Sequence, residues 1–231
     1  MHKGQIKCGR IQRGVEHPTF PGFEKVNVST LSGMKKWIGL SPFILGPFTV
    51  LEPLAFETYF PGGVHPGFTK YDDHTQIATI KKFENYWQGS KIYSLDLSID
   101  PKTNIGTVNK GFFIRRAEMF SLDKGKRRAL PKKLAGVPIS SYYQGKIMDY
   151  IESRKKVYCP VYEQLVTRTP EYANLVKLVE SGQNVLIVGP DGRDIEINEE
   201  SLTKAINDPA YIFGHELVLC CLLIGIKPWL N

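Results

Sequence analysis

Glu84, Gln88 and Lys91 stand at i, i+4 and i+7. If the segment is helical, this spacing gathers them within about 60° of one another. Ile80 falls in the same sector, and Phe83 and Trp87 flank it, so the polar row runs beside the apolar stripe rather than opposite it. Helices ordinarily keep charge away from the buried face. A carboxylate, an amide and an ammonium along such a seam form either the wall of a pocket or a partly buried Glu–Lys pair that closes the helix surface. Burial raises the pKa of a lone Glu and lowers that of a lone Lys, while mutual attraction opposes both shifts.

Other constellations carry less. Ser140-Ser141 and Ser201 have no His in a recognisable arrangement, which argues against nucleophilic serine catalysis. Gly62-Gly63 and Gly189-Pro190-Asp191-Gly192 match no phosphate-cradling loop and read as turns, although Asp191 and Asp194 can still line a site. His215 opens the last helix, where the positive helix end favours a neutral imidazole; it is either a satisfied core residue or, with Glu216, the next candidate after Glu84. Cys8, Cys159, Cys220 and Cys221 lack any CxxC spacing, and the adjacent pair reads as small core residues. The histidines are scattered, and only His65 and His74 with Asp72 and Asp73 make a faint ligand cluster, equally an ordinary polar loop. No metal and no tightly bound cofactor is implied.

Over 231 residues, Lys and Arg outnumber Asp and Glu by 30 to 23, which gives a net charge of +7. Such a balance favours an anionic partner, whether nucleic acid, nucleotide or phosphorylated metabolite. Lys124, Lys126, Arg127, Arg128, Lys132 and Lys133 fall around Leu130-Pro131, with Arg115-Arg116 upstream. This run is either a solvated basic loop or a phosphate-holding edge. The longest apolar stretch, Leu217 to Ile224, is too short to span a bilayer, and no apolar segment follows Met1-His2-Lys3-Gly4-Gln5. The expectation is a soluble, cytoplasmic protein without membrane contact.

The elements that would position these residues divide near residue 78. Residues 1–78 are punctuated by proline and read as loop- and strand-rich, with short strands at Lys25–Val28 and Phe48–Leu51 and an insertion or flap at Pro61–Gly67. Residues 79–231 read as a helical core within the same single domain. The spacing predicts a helix over Thr79–Tyr93, a turn-rich excursion over Leu95–Lys110, either strand or helix over Gly111–Phe120, and a helix over Gln144–Tyr158 with Arg154 beside its stripe. Cys159-Pro160 restarts a helix through Val166, and Thr169-Pro170 caps another that ends at Gly182. Val185–Val188 is a buried strand with which the Ile195/Ile197 alternation can pair. Asn198 caps a helix to Ala205, and an apolar helix over Gly214–Ile224 belongs in the core. The fold class is α+β, mostly helical with a few short strands.

The run Glu84-Asn85-Tyr86-Trp87-Gln88-Gly89-Ser90-Lys91 resembles the central helix motif of the NADAR (YbiA-like) family, which typically reads Glu-His-Tyr-Phe-Gln-Ala-x-Lys. Leu40-Ser41-Pro42-Phe43 is similar to that family's Leu-Ser-Asn-Phe element. Met148–Val161, Leu175–Gly182 and Phe213-Gly214-His215-Glu216-Leu217 follow the order of its helical half. The resemblance spans roughly residues 38–225 and departs at Asn85, where the family has His, and at Pro42, where it has Asn. The family's late Asp-x-x-Trp-Gly survives only as Asp208 with Phe213-Gly214.

The resemblance implies a NADAR-like fold and hydrolysis of an N-glycosidic bond, in NAD- or ADP-ribose-related metabolites or in ADP-ribosylated guanine. It implies catalysis by Glu84 and Lys91. Substrate contacts would come from Tyr86, Trp87, Gln88, Arg115, Arg116, Arg154, Asp208 and His215, the arginines holding phosphate and an aromatic ring stacking on the leaving base. The partner would be a nucleotide-like or ADP-ribosyl substrate, with nucleic acid as a further partner of the basic loop 124–133. The contrasting expectation is a basic nucleic-acid-associated or virion protein that keeps the scaffold without catalysis.

Overall fold

The computed structural model describes residues 3–11, 20–29, 37–53, 67–70, 75–99, 102 and 106–231. The expected flap over Pro61–Gly67, but for Gly67, and the His65, Asp72, Asp73 and His74 cluster lie outside them. Strands β1 (Ile6–Arg10) and β2 (Phe23–Asn27) come first, followed by β3 (Phe48–Pro53), β4 (Phe68–Lys70) and β5 (Thr75–Ile80). Helix α1 (Phe83–Gly89) follows, then β6 (Lys91–Ile92), the hairpin strands β7 (Leu97–Ile99) and β8 (Gly106–Val108), and helix α2 (Lys110–Ser121). The short α3 (Lys132–Ala135), β9 (Ser140–Tyr143), β10 (Lys146–Met148) and the single turn α4 (Tyr150–Ser153) come next. A π-helical stretch at Arg154–Tyr158 precedes α5 (Cys159–Val166), α6 (Pro170–Glu180), β11 (Asn184–Gly189), α7 (Glu199–Asn207) and α8 (His215–Ile224). The chain is α+β and divides into two compact units, residues 46–153 and residues 1–45 with 154–231.

In the unit of residues 1–45 and 154–231, β11 lies between β1 and β2, and both pairings are parallel. Val185 to Val188 are buried throughout, as a central strand covered on both faces demands. Helix α8 packs on β1 and β11, with α5 and α7 against α8 and α6 on β11. Local signals set the helix starts: the Thr169 hydroxyl accepts from the Tyr172 N–H, and the Asn198 side chain accepts from the Ser201 N–H. The Ile195/Ile197 alternation forms no strand, because both edges of β11 are already taken.

In the unit of residues 46–153, β5 pairs antiparallel with β3 and β4, and β9 pairs antiparallel with β10 and β6. Helix α1 packs on α2 and β5. The expected helix over Thr79–Tyr93 is only Phe83–Gly89. Its first residues belong to β5, where Ile80 faces Phe48, and its last become β6, where Lys91 faces Ser141. The expected helix over Gln144–Tyr158 begins instead as a hairpin. Gln144 and Gly145 both take positive φ, 48° and 83°, the signature of a two-residue type I′ turn joining β9 to β10. Gly111–Phe120 resolves as helix α2, capped by the Asn109 side chain, and the Leu95–Lys110 excursion contains the β7–β8 hairpin.

Candidate functional site

The row read from the sequence is connected by hydrogen bonds. Gln88 Nε2 donates to Glu84 Oε1 at 2.8 Å, and Lys91 Nζ donates to Gln88 Oε1 at 2.9 Å. Glu84 is buried on two-turn α1, with Gln88 one turn on and half-buried. Lys91 is no longer on the helix; β6 brings it into line, and its ammonium lies 5.4 Å from the centre of the Trp87 ring. Trp87 stacks on Tyr143 with ring centres 6.1 Å apart and 16° between planes. The arrangement therefore gathers a carboxylate, a bridging amide and a cation against an indole, and Lys91 bears on Glu84 through the Gln88 amide.

The arginines expected to hold phosphate are committed to the protein itself. Arg116 is fully buried; it grips Glu52 with both terminal nitrogens, at 3.1 and 2.9 Å, and donates to the Ser90 hydroxyl at 3.1 Å. Its guanidinium lies over Phe120, 4.5 Å from the ring centre. Burial works against its charge, but the Glu52 carboxylate outweighs that and raises its pKa. Arg115 holds the buried Asp96 with two bonds, 2.5 and 2.8 Å, and donates to the Lys91 carbonyl at 3.4 Å. It therefore steadies the strand that carries Lys91 instead of facing a ligand.

Tyr86 is corrected in the same way. It is buried among Phe48, Phe120 and Tyr143, so it is a core ring and not a surface on which a base can stack. Desolvation, chiefly, pushes its phenol far above the ordinary value, which keeps it neutral.

The sequence reading missed what Asn85 does. Where the resembling family has His, Asn85 is fully buried and donates to the Leu122 carbonyl at 3.2 Å and the Lys124 carbonyl at 3.1 Å. Its own oxygen accepts from the Lys126 N–H at 2.7 Å. A histidine lacks the adjoining donor and acceptor of a carboxamide, so Asn is the residue type that can clamp a loop by both its C=O and N–H groups. The start of the basic run is thus fixed to α1, while the side chains of Lys124, Lys126, Arg127, Arg128 and Lys133 are exposed. Glu52 was missed as well; only the burial of Arg116 shows that a partner carboxylate is needed.

The remaining predicted residues lie in the other unit. Arg154 is buried, and its guanidinium donates to the carbonyls of Ala205, Ile206, Asp208 and Tyr211 at 2.6–3.3 Å. It caps the C-terminal end of α7 and is corrected from a phosphate ligand to a structural one. Asp208 is exposed and accepts from the Ala210 N–H at 2.9 Å. His215 is buried at the start of α8, its Nε2 3.1 Å from the Val28 carbonyl and its Nδ1 3.3 Å from Glu216 Oε2. Desolvation raises the Glu216 carboxyl pKa, with His215 pulling it down and Asp191 pushing it up.

Among the described residues, no group of three or more His, Cys, Asp and Glu side chains could hold a metal ion, and no helix is long and apolar enough to cross a membrane. The chain matches no family profile, no curated protein and no solved structure.

Proposed function

We propose that the chain is an N-glycosidase with a NADAR-like fold, hydrolysing the bond between a ribosyl carbon and a heterocyclic nitrogen in an ADP-ribosylated or ribosylated substrate. The observation that carries this reading is the hydrogen-bonded row Glu84–Gln88–Lys91 beside Trp87, together with the resemblance of residues 84–91 to that family's central motif. Glycosidic cleavage passes through an oxocarbenium-like state that a nearby carboxylate stabilises. Glu84 supplies that carboxylate, either facing the developing positive charge or taking a proton from the attacking water. Gln88 fixes the carboxylate's orientation by donating to Oε1. Lys91 keeps the amide oriented by donating to its oxygen.

The test is release of free base from ADP-ribosylated guanosine oligonucleotides and from ADP-ribose-related metabolites, followed by chromatography. Glu84→Gln should lower turnover by about a hundredfold or more while leaving the melting temperature close to that of the parent. A parent protein that releases no base from any of these substrates sinks the reading. The exposed Lys124, Lys126, Arg127, Arg128 and Lys133 favour a second reading, a non-catalytic protein that binds nucleic acid through this loop. It requires salt-dependent affinity for plain DNA or RNA that Glu84→Gln leaves unchanged.

A further inference from the structure

Residues 124–148 contain seven Lys and Arg and no Asp or Glu. Those seven equal the net charge of +7, which leaves 23 Lys and Arg against 23 Asp and Glu in the rest of the chain. The whole excess of positive charge therefore lies in this one segment. The side chains of Lys124, Lys126, Arg127, Arg128 and Lys133 are exposed, and among the described residues none of the five is in an ion pair. Asp123, the last carboxylate before them, is held by Lys81 at 2.9 Å.

The same segment exposes apolar side chains. Leu134, Val137 and Ile139 are 67%, 81% and 54% exposed, and Val137 is the most exposed large apolar side chain among the described residues. Single exposed aliphatic residues are ordinary on a protein surface, whereas three within six positions, directly after Lys133, are not. The segment is anchored at both ends. Asn85 fixes it at Lys124 and Lys126, and the Ile139 N–H donates to the Ile92 carbonyl at 2.9 Å. Between these anchors one short stretch of exposed chain presents Arg127, Arg128, Lys133, Leu134 and Val137.

The aromatic residues behave in the opposite way. Tyr142 and Tyr143, the aromatic residues of 124–148, are both buried, Tyr142 against Phe112 and Phe113. Single-stranded nucleic acid is held by cations interleaved with exposed rings on which bases stack. A duplex backbone answers the cations and leaves the aliphatic side chains in water. Protein interfaces centre on aromatic anchors and are poor in lysine. Cations beside exposed aliphatic groups are the chemistry of a lipid interface, where Lys and Arg meet anionic headgroups and the aliphatic groups enter the acyl boundary.

We propose that residues 124–139 form a peripheral docking surface for an anionic lipid bilayer, with Arg127, Arg128 and Lys133 on the headgroups and Leu134 and Val137 entering the acyl boundary. The contact is interfacial: among the described residues no helix is long and apolar enough to cross a membrane. The expectation of no membrane contact rests on the lack of a spanning segment and does not bear on a surface of this kind. The nucleic-acid reading uses the same cations, and the aliphatic residues decide between the two.

The experiment is cosedimentation of the full chain with vesicles of phosphatidylcholine alone and of phosphatidylcholine mixed with phosphatidylserine, beside titration with duplex DNA and single-stranded RNA in the same buffer. The chain should sediment with the phosphatidylserine vesicles and stay in solution with phosphatidylcholine alone. Each cation near an anionic surface strengthens binding roughly fivefold, so Arg127→Gln with Arg128→Gln should weaken it about twentyfold. Leu134→Ser with Val137→Ser should weaken vesicle binding about tenfold and leave any affinity for nucleic acid unchanged. All four positions are exposed, so each double variant should melt at the temperature of the parent. If the apolar variant melts lower, Leu134→Gln takes its place and must weaken vesicle binding about fivefold. Base release plays no part in these readouts, so the outcome is separable from that of the glycosidase reading. No binding to phosphatidylserine vesicles, equal binding to both kinds of vesicle, or vesicle binding unmoved by the apolar variant each overturns the proposal. Nucleic-acid affinity that falls with the two arginines, in a chain that ignores vesicles, assigns the segment to nucleic acid instead.

Discussion

The two compact units treat buried carboxylates differently. In residues 46–153 each is answered from within the unit: Glu52 by Arg116, Asp96 by Arg115 and the Tyr93 N–H, and Glu84 by the Gln88 amide. In the unit containing α8, Glu216 has no guanidinium partner: Oε1 accepts from the Asp191 N–H, and Oε2 lies 3.3 Å from His215 Nδ1. Burying a carboxylate is costly in both places, and the cost is met by opposite means. Glu52 and Asp96 are paired with guanidinium groups as parts of the architecture. Glu216 instead has its pKa raised by burial, which favours the neutral acid.

The largest effect that would break this contrast is at Arg116. Arg116→Leu leaves Glu52 buried without its partner, and should cost about 3–5 kcal/mol in urea unfolding. Replacing both residues, Glu52→Leu with Arg116→Leu, should recover most of that loss. A single replacement costing under about 1 kcal/mol would show that Glu52 is not held by this pair. Next in size is Asn85→Ala, which removes three buried hydrogen bonds at about 1 kcal/mol each. It also releases the loop at Leu122, Lys124 and Lys126. Trypsin should then cut after Lys124–Arg128 faster than in the parent at equal fractional unfolding. An unchanged cleavage rate would mean that the loop is held by other groups.

What the sequence revealed and what it hid follow the same physical divide. Elements specified by neighbours along the chain were legible: the Thr169 and Asn198 caps, the apolar run of α8, and the buried run in β11. Elements specified by pairing across the fold were not. β1 is an unremarkable Ile-Lys-Cys-Gly-Arg segment, and only its parallel ladder with β11 makes it a strand. The 3.6-residue pattern over Thr79–Tyr93 was real only at Phe83–Gly89, because β-branched residues on either side found ladder partners.

The site shows the same split. Glu84, Gln88 and Lys91 are brought together as the spacing suggested, though Lys91 arrives from a strand. For Arg115, Arg116 and Arg154 nothing local shows which way the guanidinium faces, and all three turn into the protein. Asn85 looked like a loss when set beside a histidine motif; its three bonds to a loop some forty residues away have no signature along the chain.

The smallest expected effect tests the buried Glu216 carboxylate. The folded-state pKa of Glu216 lies above its ordinary value of 4.5, with burial as the first cause. Between the unfolded and folded values the native state binds the proton and the unfolded state does not. Stability from this group is therefore fully present below about pH 4.5 and is lost as pH rises through the folded value. This is the reverse of the usual carboxylate behaviour. Glu216→Gln carries a permanently neutral side chain of the same length, so it should remove this slope and nothing else of that sign. The difference in unfolding free energy between Glu216→Gln and the parent should therefore grow in favour of the variant as pH is raised from 4.5. His215, Asp191 and Tyr162 bear on the same region, so each pH point is read as variant minus parent, which cancels their own titration to first order. A difference that stays flat with pH would show that Glu216 is ionised in the native protein with both oxygens satisfied. It would then belong with Glu52 and Asp96 on the structural side of the comparison.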